Sequence, residues 1–323
     1  MNILVTGGNG FIGSNFIRYV LKNSDYNVVN LDLLTYAGNR NNLLDVNSHK
    51  YEFIYGDINN EDLINLIINK FNINVILNFA AESHVDRSIE GPKLFFETNL
   101  MGTQSLLNQA KKNSIDRFIQ ISTDEVYGSI ENGNHFSESS PLKPNSPYSS
   151  SKAGADLLVR SYYKTYDFPG IITRCSNNYG PYQHPEKLIP MVIKKALRDE
   201  KLPVYGDGKQ IRDWLHVDDH CKAIFTVLKY GNEGEVYNIG GNNEIANIEV
   251  IKNILRYLNK SYDLIEYVKD RKGHDRRYAI DSSKLKNELG WEPEQTFEKG
   301  INHTLNWYLN NASWVEDVEK NRC

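Results

Sequence analysis

Cysteine is scarce in this 323-residue chain. Cys175, Cys221 and Cys323 are far apart, odd in number and form no C-x-x-C pair, which argues against both a disulfide framework and a zinc site. Long apolar runs are missing too, since none approaches the roughly 20 residues of a membrane span. No basic, apolar, small-residue leader precedes the first strand at Asn2, so a cytoplasmic protein off the membrane is expected. Positive charge is not in excess. A formal net charge of -4 and a pI near 6.1 leave no electrostatic footprint for nucleic acid. No repeat of solenoid length and no low-complexity tract interrupts the chain. What remains is 40% hydrophobic and 24% charged, ordinary for a globular enzyme of one large domain or two small ones.

The first half alternates strand and helix. Asn2 to Thr6 reads as a strand that runs into Gly7-Gly8-Asn9-Gly10-Phe11-Ile12-Gly13, and Phe16, Ile17, Val20 and Leu21 then recur with a helical period. Glycines at 7, 10 and 13 allow a tight turn, close approach of backbone to a pyrophosphate, and close packing of helix on strand. A second strand, Asn27 to Leu31, ends in Asp32, nineteen residues past Gly13. A carboxylate there suits the two hydroxyls of an adenosine ribose and repels a 2'-phosphate, so NAD rather than NADP is expected. The alternation continues through strands at Tyr51 to Tyr55 and Asn74 to Phe79, with helices at Glu61 to Phe71 and Leu94 to Lys112. This succession predicts an α/β fold with a doubly wound parallel sheet.

Chemistry is concentrated where the next strand, Phe118 to Ile121, stops. Ser122-Thr123-Asp124-Glu125-Val126-Tyr127-Gly128 follows it, and ligands of such sheets bind at strand ends. Two carboxyl groups in different surroundings can serve as one acid and one base; a polar turn capping the strand is the plainer alternative. Ser146-Pro147 then starts a helix, as N-cap and first helical residue. Tyr148 and Lys152, at i and i+4, share one face of it. An ammonium near a phenol favours the phenolate, so the Tyr148 pKa is expected to fall toward working pH. Here the plainer alternative is an exposed Tyr/Lys pair.

Beyond the strand Gly170 to Arg174, the polar stretch Cys175 to Lys187 is too long for a mere connection. Short strands follow near Val204 and at Arg212 to Leu215, then a helix at Val217 to Lys229, a strand at Glu235 to Ile239, and helical patterns at Ile248 to Leu258 and Phe297 to Leu309. A cofactor domain over 1–175, with return segments near 217–240, and a smaller substrate domain over 176–323 are expected. Asp270 to Arg277 carries three arginines. Such a run is either a solvated face or, since guanidinium forks suit phosphate oxygens, a diphosphate clamp.

Together these motifs resemble the extended short-chain dehydrogenase/reductase family and, within it, the dTDP-glucose 4,6-dehydratases. Glycine loop and Y-x-x-x-K mark the superfamily; Thr-Asp-Glu before Val-Tyr-Gly marks the dehydratases. The resemblance implies a redox-neutral, NAD-dependent loss of water from dTDP-glucose, giving a 4-dehydro-6-deoxy sugar for deoxysugars such as rhamnose, by a homodimer without a metal. It assigns catalysis to Thr123, Asp124 as acid, Glu125 as base, Tyr148 and Lys152. For the cofactor it implies Gly7, Gly10, Phe11, Ile12, Gly13, Asp32, Leu33, Thr35, Asp57, Ile58, Ala80, Ala81, Thr98 and Asn178, with Tyr148 and Lys152. For the nucleotide sugar it implies Ser83, Asn177, Lys187, Leu188, Pro203, Tyr205, Arg212, Asn247, Arg271 and His274, with the Thr123-Asp124-Glu125 triad. Lys272 stands where the family often has proline. Competing readings are a UDP-hexose 4-epimerase, a dehydratase of another nucleotide sugar and, in a different class, a non-catalytic NAD sensor or scaffold.

Overall fold

A computed structural model of the chain describes residues 1–130, 133–271 and 273–320; Lys272 and Cys323 lie outside them. The strands, in chain order, are β1 Asn2–Thr6, β2 Asn27–Asp32, β3 Tyr51–Tyr55, β4 Val75–Asn78, β5 Arg117–Thr123, β6 Gly170–Cys175, β7 Asn177–Tyr179, β8 Leu202–Tyr205, β9 Ile211–His216, β10 Val236–Ile239, β11 Glu244–Ala246 and β12 Ile265–Val268. Seven of them form one sheet in the order β10-β6-β5-β4-β1-β2-β3, parallel at every pairing. Both faces of this sheet are covered, so β1 has no polar side. Ile3 and Val5 join the core on one face, while Leu4 packs on the other with Val29 and Leu31.

Chain order reverses between β1 and β4, and the crevice at their carboxyl ends is the natural ligand position of such a sheet. There Gly7 adopts φ +68°, and a Cβ on it would stand 2.6 Å from the backbone nitrogen of Ala80. On Gly13 a Cβ would meet the Gly7 carbonyl at 2.4 Å, whereas on Gly10 its only near neighbour is Gly7 O at 3.2 Å. Two glycines are therefore required by packing. The third leaves open room in front of the Phe11–Asn23 helix.

The expected helix over Leu94 to Lys112 is interrupted: Lys93–Phe95 and Gly102–Lys112 are α-helical, but Phe96–Met101 is a π-helix. Its extra residue lets Asn99 reach sideways, accepting from Glu82 N at 2.8 Å and donating to Ser151 Oγ at 2.8 Å. Also unforeseen is the helix Leu188–Leu197, whose unbroken apolar start through Ile193 and internal Pro190 mask the period at which Ile189, Val192, Ile193 and Ala196 are buried. It packs with Ile251, Ile254 and Leu305 in a second core. Around that core lie a three-stranded sheet β11-β9-β7 and the pair β12-β8. Among the described residues no helix is long and apolar enough to cross a membrane.

Candidate active site

A cleft of about 1150 Å³ runs along the carboxyl ends of the main sheet. Every residue named above for the cofactor lines it, from Gly7 to Asn178. Asp32 is fixed at the tip of β2 by two backbone donors, Asn9 N–H at 2.8 Å and Leu34 N–H at 2.7 Å, one to each oxygen. Each oxygen keeps lone pairs for a diol. Arg40, eight residues beyond Asp32, lies over the ring of Phe53 at 5.2 Å. The bare Gly10, the helix start behind it and this carboxylate fit a dinucleotide.

At the foot of the cleft β5 runs two residues past Ile121 and ends at Thr123. Asp124–Tyr127 is a turn of 3-10 helix, not extended strand, capped by Thr123 Oγ1, which accepts from Glu125 N at 3.3 Å. Neighbouring side chains then diverge by about a third of a turn. Asp124 is 2% exposed and keeps Oδ2 without a hydrogen-bond partner. Burial raises the Glu125 pKa, but the charges of Arg212, Lys187 and Arg271, which it faces, oppose that push. Burial, together with the charges of Glu125 and Asp213, raises Asp124 well above the carboxylate range. The two acids thus occupy different surroundings, as an acid and a base require.

The Pro147–Tyr166 helix begins with a reciprocal Ser146/Ser149 capping box and delivers Tyr148 beside them. Tyr148 lies close to the Thr123 side chain and feels both Glu125 and Asp124. Its pKa does not fall here. Burial, then the negative charge of Glu125, holds the phenol well above its usual range. Lys152 does not reverse this, because its Nζ donates to the Ile121 carbonyl at 2.7 Å and burial lowers its own pKa.

Of the residues named for the nucleotide sugar, Ser83, Asn177 and Lys187 line the same cleft, and Lys187 Nζ donates to Ser83 O at 3.0 Å. Leu188, Pro203, Tyr205, Arg212, Asn247, Arg271 and His274 do not line it. Most of them gather on the smaller sheets: Arg271 lies over Tyr205 at 5.4 Å, His274 meets Tyr205 edge-on at 6.3 Å, and Arg212 donates to Asp275 O at 3.0 Å. Asn177 and Asn247 each keep a buried Oδ1 without a partner, as Asp124 keeps Oδ2, a cost that a polyhydroxylated ligand would relieve. The three arginines of the charge run part company. Arg271 pairs with Asp86 at 2.6 Å, Arg277 with Glu244 at 2.6 Å, and Arg276 with Asp207 at the surface at 2.7 Å.

Sequence reasoning missed Glu186, which lines the cleft between Arg87 at 3.3 Å and His84 at 3.6 Å. It missed Glu82, buried in the same wall. It also missed Tyr278, whose hydroxyl donates to Asp275 Oδ2 at 2.6 Å beside the arginine facing Glu125. Only the position of Glu186, next to Lys187 in the polar stretch, offered a signal. Elsewhere, among the described residues, ligand atoms of His216, Asp218 and His303 approach within 4.8 Å, but at a helix N-terminus and within the field of Lys22, where a cation is disfavoured.

The family model described as GDP-mannose 4,6 dehydratase matches residues 4–304. A dTDP-glucose 4,6-dehydratase of Xanthomonas campestris pv. campestris is 52% identical over 334 residues, 98% of this chain and 95% of that protein. The chain belongs to the dTDP-glucose 4,6-dehydratase family. Another relative, the low-salt glycan biosynthesis protein Agl12 of Haloferax volcanii, is 56% identical over 310 residues, covering 96% of this chain and 99% of its own. A crystal structure of a dTDP-glucose 4,6-dehydratase from Streptomyces venezuelae, solved with NAD and TYD bound, superposes with TM-score 0.95 at 48% identity, covering 98% of this chain and all of that one. A UDP-glucose 4-epimerase of Thermotoga maritima reaches 0.90 at 28%, covering 97% of this chain and all of its own. Scaffold is thus shared beyond the family, and the residues at the foot of the cleft must separate the chemistries.

Within this family's site, the raised carboxyl of Asp124 makes a prediction about stability. The folded protein holds a proton there that the unfolded chain has lost above about pH 4. The associated stability is complete in acid and declines as pH rises toward the folded pKa. Asp124→Asn, which has nothing to ionise, should therefore melt like the parent below pH 4 and progressively higher above it. The gain approaches ~1.4 kcal/mol per pH unit within the titration window. Thermal melts across a pH series check this; parallel curves for the two proteins would contradict it.

Proposed function

We propose that this protein is an NAD-dependent dTDP-glucose 4,6-dehydratase of deoxysugar biosynthesis. The supporting observation is the convergence of Thr123, Asp124, Glu125, Tyr148 and Lys152 at the foot of a dinucleotide-shaped cleft. When bound, NAD+ accepts hydride from C4 of the hexose and returns it to C6, and its positive ring favours the Tyr148 phenolate that isolated burial opposes.

Tyr148 takes the proton of the 4-hydroxyl while Thr123 hydrogen-bonds the same oxygen. Lys152 holds the ribose. The resulting 4-ketone acidifies C5–H, which Glu125 removes; Asp124, uncharged by virtue of its burial, donates to the departing 6-hydroxyl, and Glu125 returns its proton to C5 as hydride reaches C6. Arg212, Arg271 and His274 hold the diphosphate end, with Pro203, Tyr205 and Asn247 beside them; Ser83, Asn177, Lys187 and Leu188 border the sugar. In this reading 1–175 with the returning 217–240 segment forms the cofactor domain, and the remainder of 176–323 the substrate domain. The enzyme is a cytoplasmic homodimer, consistent with exposed Phe96 and Leu157 on helices of the cofactor half.

A 4-epimerase is disfavoured by the paired acids, because epimerisation eliminates nothing and needs neither. Mass spectrometry decides. Purified protein with NAD should convert dTDP-glucose to a product lighter by one water without net NADH, in preference to UDP-, GDP- or CDP-glucose. A product of unchanged mass would indicate epimerisation, and faster loss of water from another nucleotide sugar would reassign the substrate.

A further inference from the structure

Asn42 belongs to none of the groups assigned above, yet it is 2% exposed and uses both ends of its amide. Its Nδ2 donates at 2.8 Å to the carbonyl of Asn9, inside the glycine turn. Its Oδ1 accepts at 2.9 Å from the indole Nε1–H of Trp314, on the helix Ala312–Lys320 and 272 residues away in sequence.

Asn9 is the middle of that turn, and all its polar groups are committed. Its N–H donates to Asp32 at 2.8 Å, its carbonyl also accepts from Asn39 N at 3.0 Å, and its Oδ1 accepts from Asn30 Nδ2 at 2.7 Å. The orientation of the Asn9 peptide therefore sets both the Gly8-to-Gly10 backbone that meets a pyrophosphate and the carboxylate that meets a ribose. Trp314 is itself gripped by Trp307 at 5.1 Å and Tyr182 at 5.8 Å. Arg18 lies over that tyrosine at 4.9 Å and donates to the Asn42 carbonyl at 2.6 Å. Tyr182 holds a left-handed φ of +67° and precedes Gln183, a wall residue of the cleft.

We infer that Trp314, acting through Asn42 on the Asn9 peptide, is a positioning residue for the cofactor, so that the C-terminal helix sets how firmly NAD is retained. The inference rests on the proposed function in one respect, that NAD occupies this cleft. Retention matters for redox-neutral chemistry. Hydride removed in the first half of the cycle must still be present for the second, and a reduced cofactor that escapes strands its sugar as the ketone.

Trp314→Phe keeps an aromatic ring but deletes the donor together with part of the indole's volume; Asn42→Asp keeps an acceptor for the indole and deletes the donor to Asn9 with little change of volume. Protein stripped of cofactor is titrated with NAD and followed by intrinsic fluorescence, with kcat measured at saturating NAD. Each variant should raise the NAD dissociation constant by about three- to tenfold, the worth of one buried hydrogen bond, with kcat unchanged. The double variant should be no weaker than Asn42→Asp alone, because both changes break one chain. Folded variants that bind NAD as the parent does, even with lowered melting temperatures, would reduce Trp314 to a purely structural tie and overturn the inference. A parent protein that fails to bind NAD would overturn the cofactor reading beneath it, and the inference with it.

Discussion

Replacing Glu125 with Gln should lower net turnover of dTDP-glucose by about 10²- to 10⁴-fold, the usual worth of a positioned general base, while reduced cofactor accumulates on the protein. Gln matches Glu in shape, so the neighbours Arg212, Lys187 and Arg271 lose a charge but not their packing. Oxidation at C4 precedes any need for Glu125, and Tyr148 and Thr123 are untouched. The reaction should therefore begin, form the ketone and halt before water leaves. Rapid-scan absorbance of a single turnover reports the reduced nicotinamide directly. Unaltered turnover would remove Glu125 from the mechanism, and turnover lost without any reduced cofactor would move it to the first step.

Tyr148→Phe should fail one step earlier. The ring is 8% exposed and meets Phe95 edge-on at 6.4 Å, so the substitution preserves a packed wall and deletes one hydroxyl. Without it nothing takes the proton of the 4-hydroxyl, and both the first hydride transfer and net turnover should fall by about 10²- to 10⁴-fold. No reduced cofactor should appear. The pair of variants thus separates oxidation from elimination, with opposite spectral outcomes at similar net loss. A Tyr148→Phe protein that still accumulates reduced cofactor would assign the proton to another group, with the neighbouring Thr123 hydroxyl as the first to replace.

Local features of this molecule were legible in its sequence. The glycine turn, Asp32 at the end of its strand, the Ser146-Pro147 helix start and the Thr-Asp-Glu stretch are each set by a few adjacent residues, and each stands where its pattern indicates. Features made by distant residues were not. Asp86 and Arg271 meet across 185 residues, and neither carries a mark of the other. The π-helix at Phe96–Met101 follows from packing of Gly102 on Ile58 and of Asn99 on Ser151, not from helical propensity. Burial explains the miss on Tyr148. Spacing along a helix shows that a lysine is near, but not that its ammonium is turned to a strand carbonyl, nor that two carboxyl groups approach from elsewhere.

The return of β10 to the flank of β6 has a consequence for how the halves depend on each other. All six residues of β6 are buried, and β10 covers its outer row of amides along Ile172 to Cys175. A fragment ending at Cys175 would hold the complete glycine turn, Asp124, Glu125 and Tyr148, yet it would present that row bare to solvent, a template for sticking to other chains. Exchange of everything beyond Cys175, as a cassette fused at one point, is accordingly blocked: any donor must also supply the strand that closes the recipient's sheet.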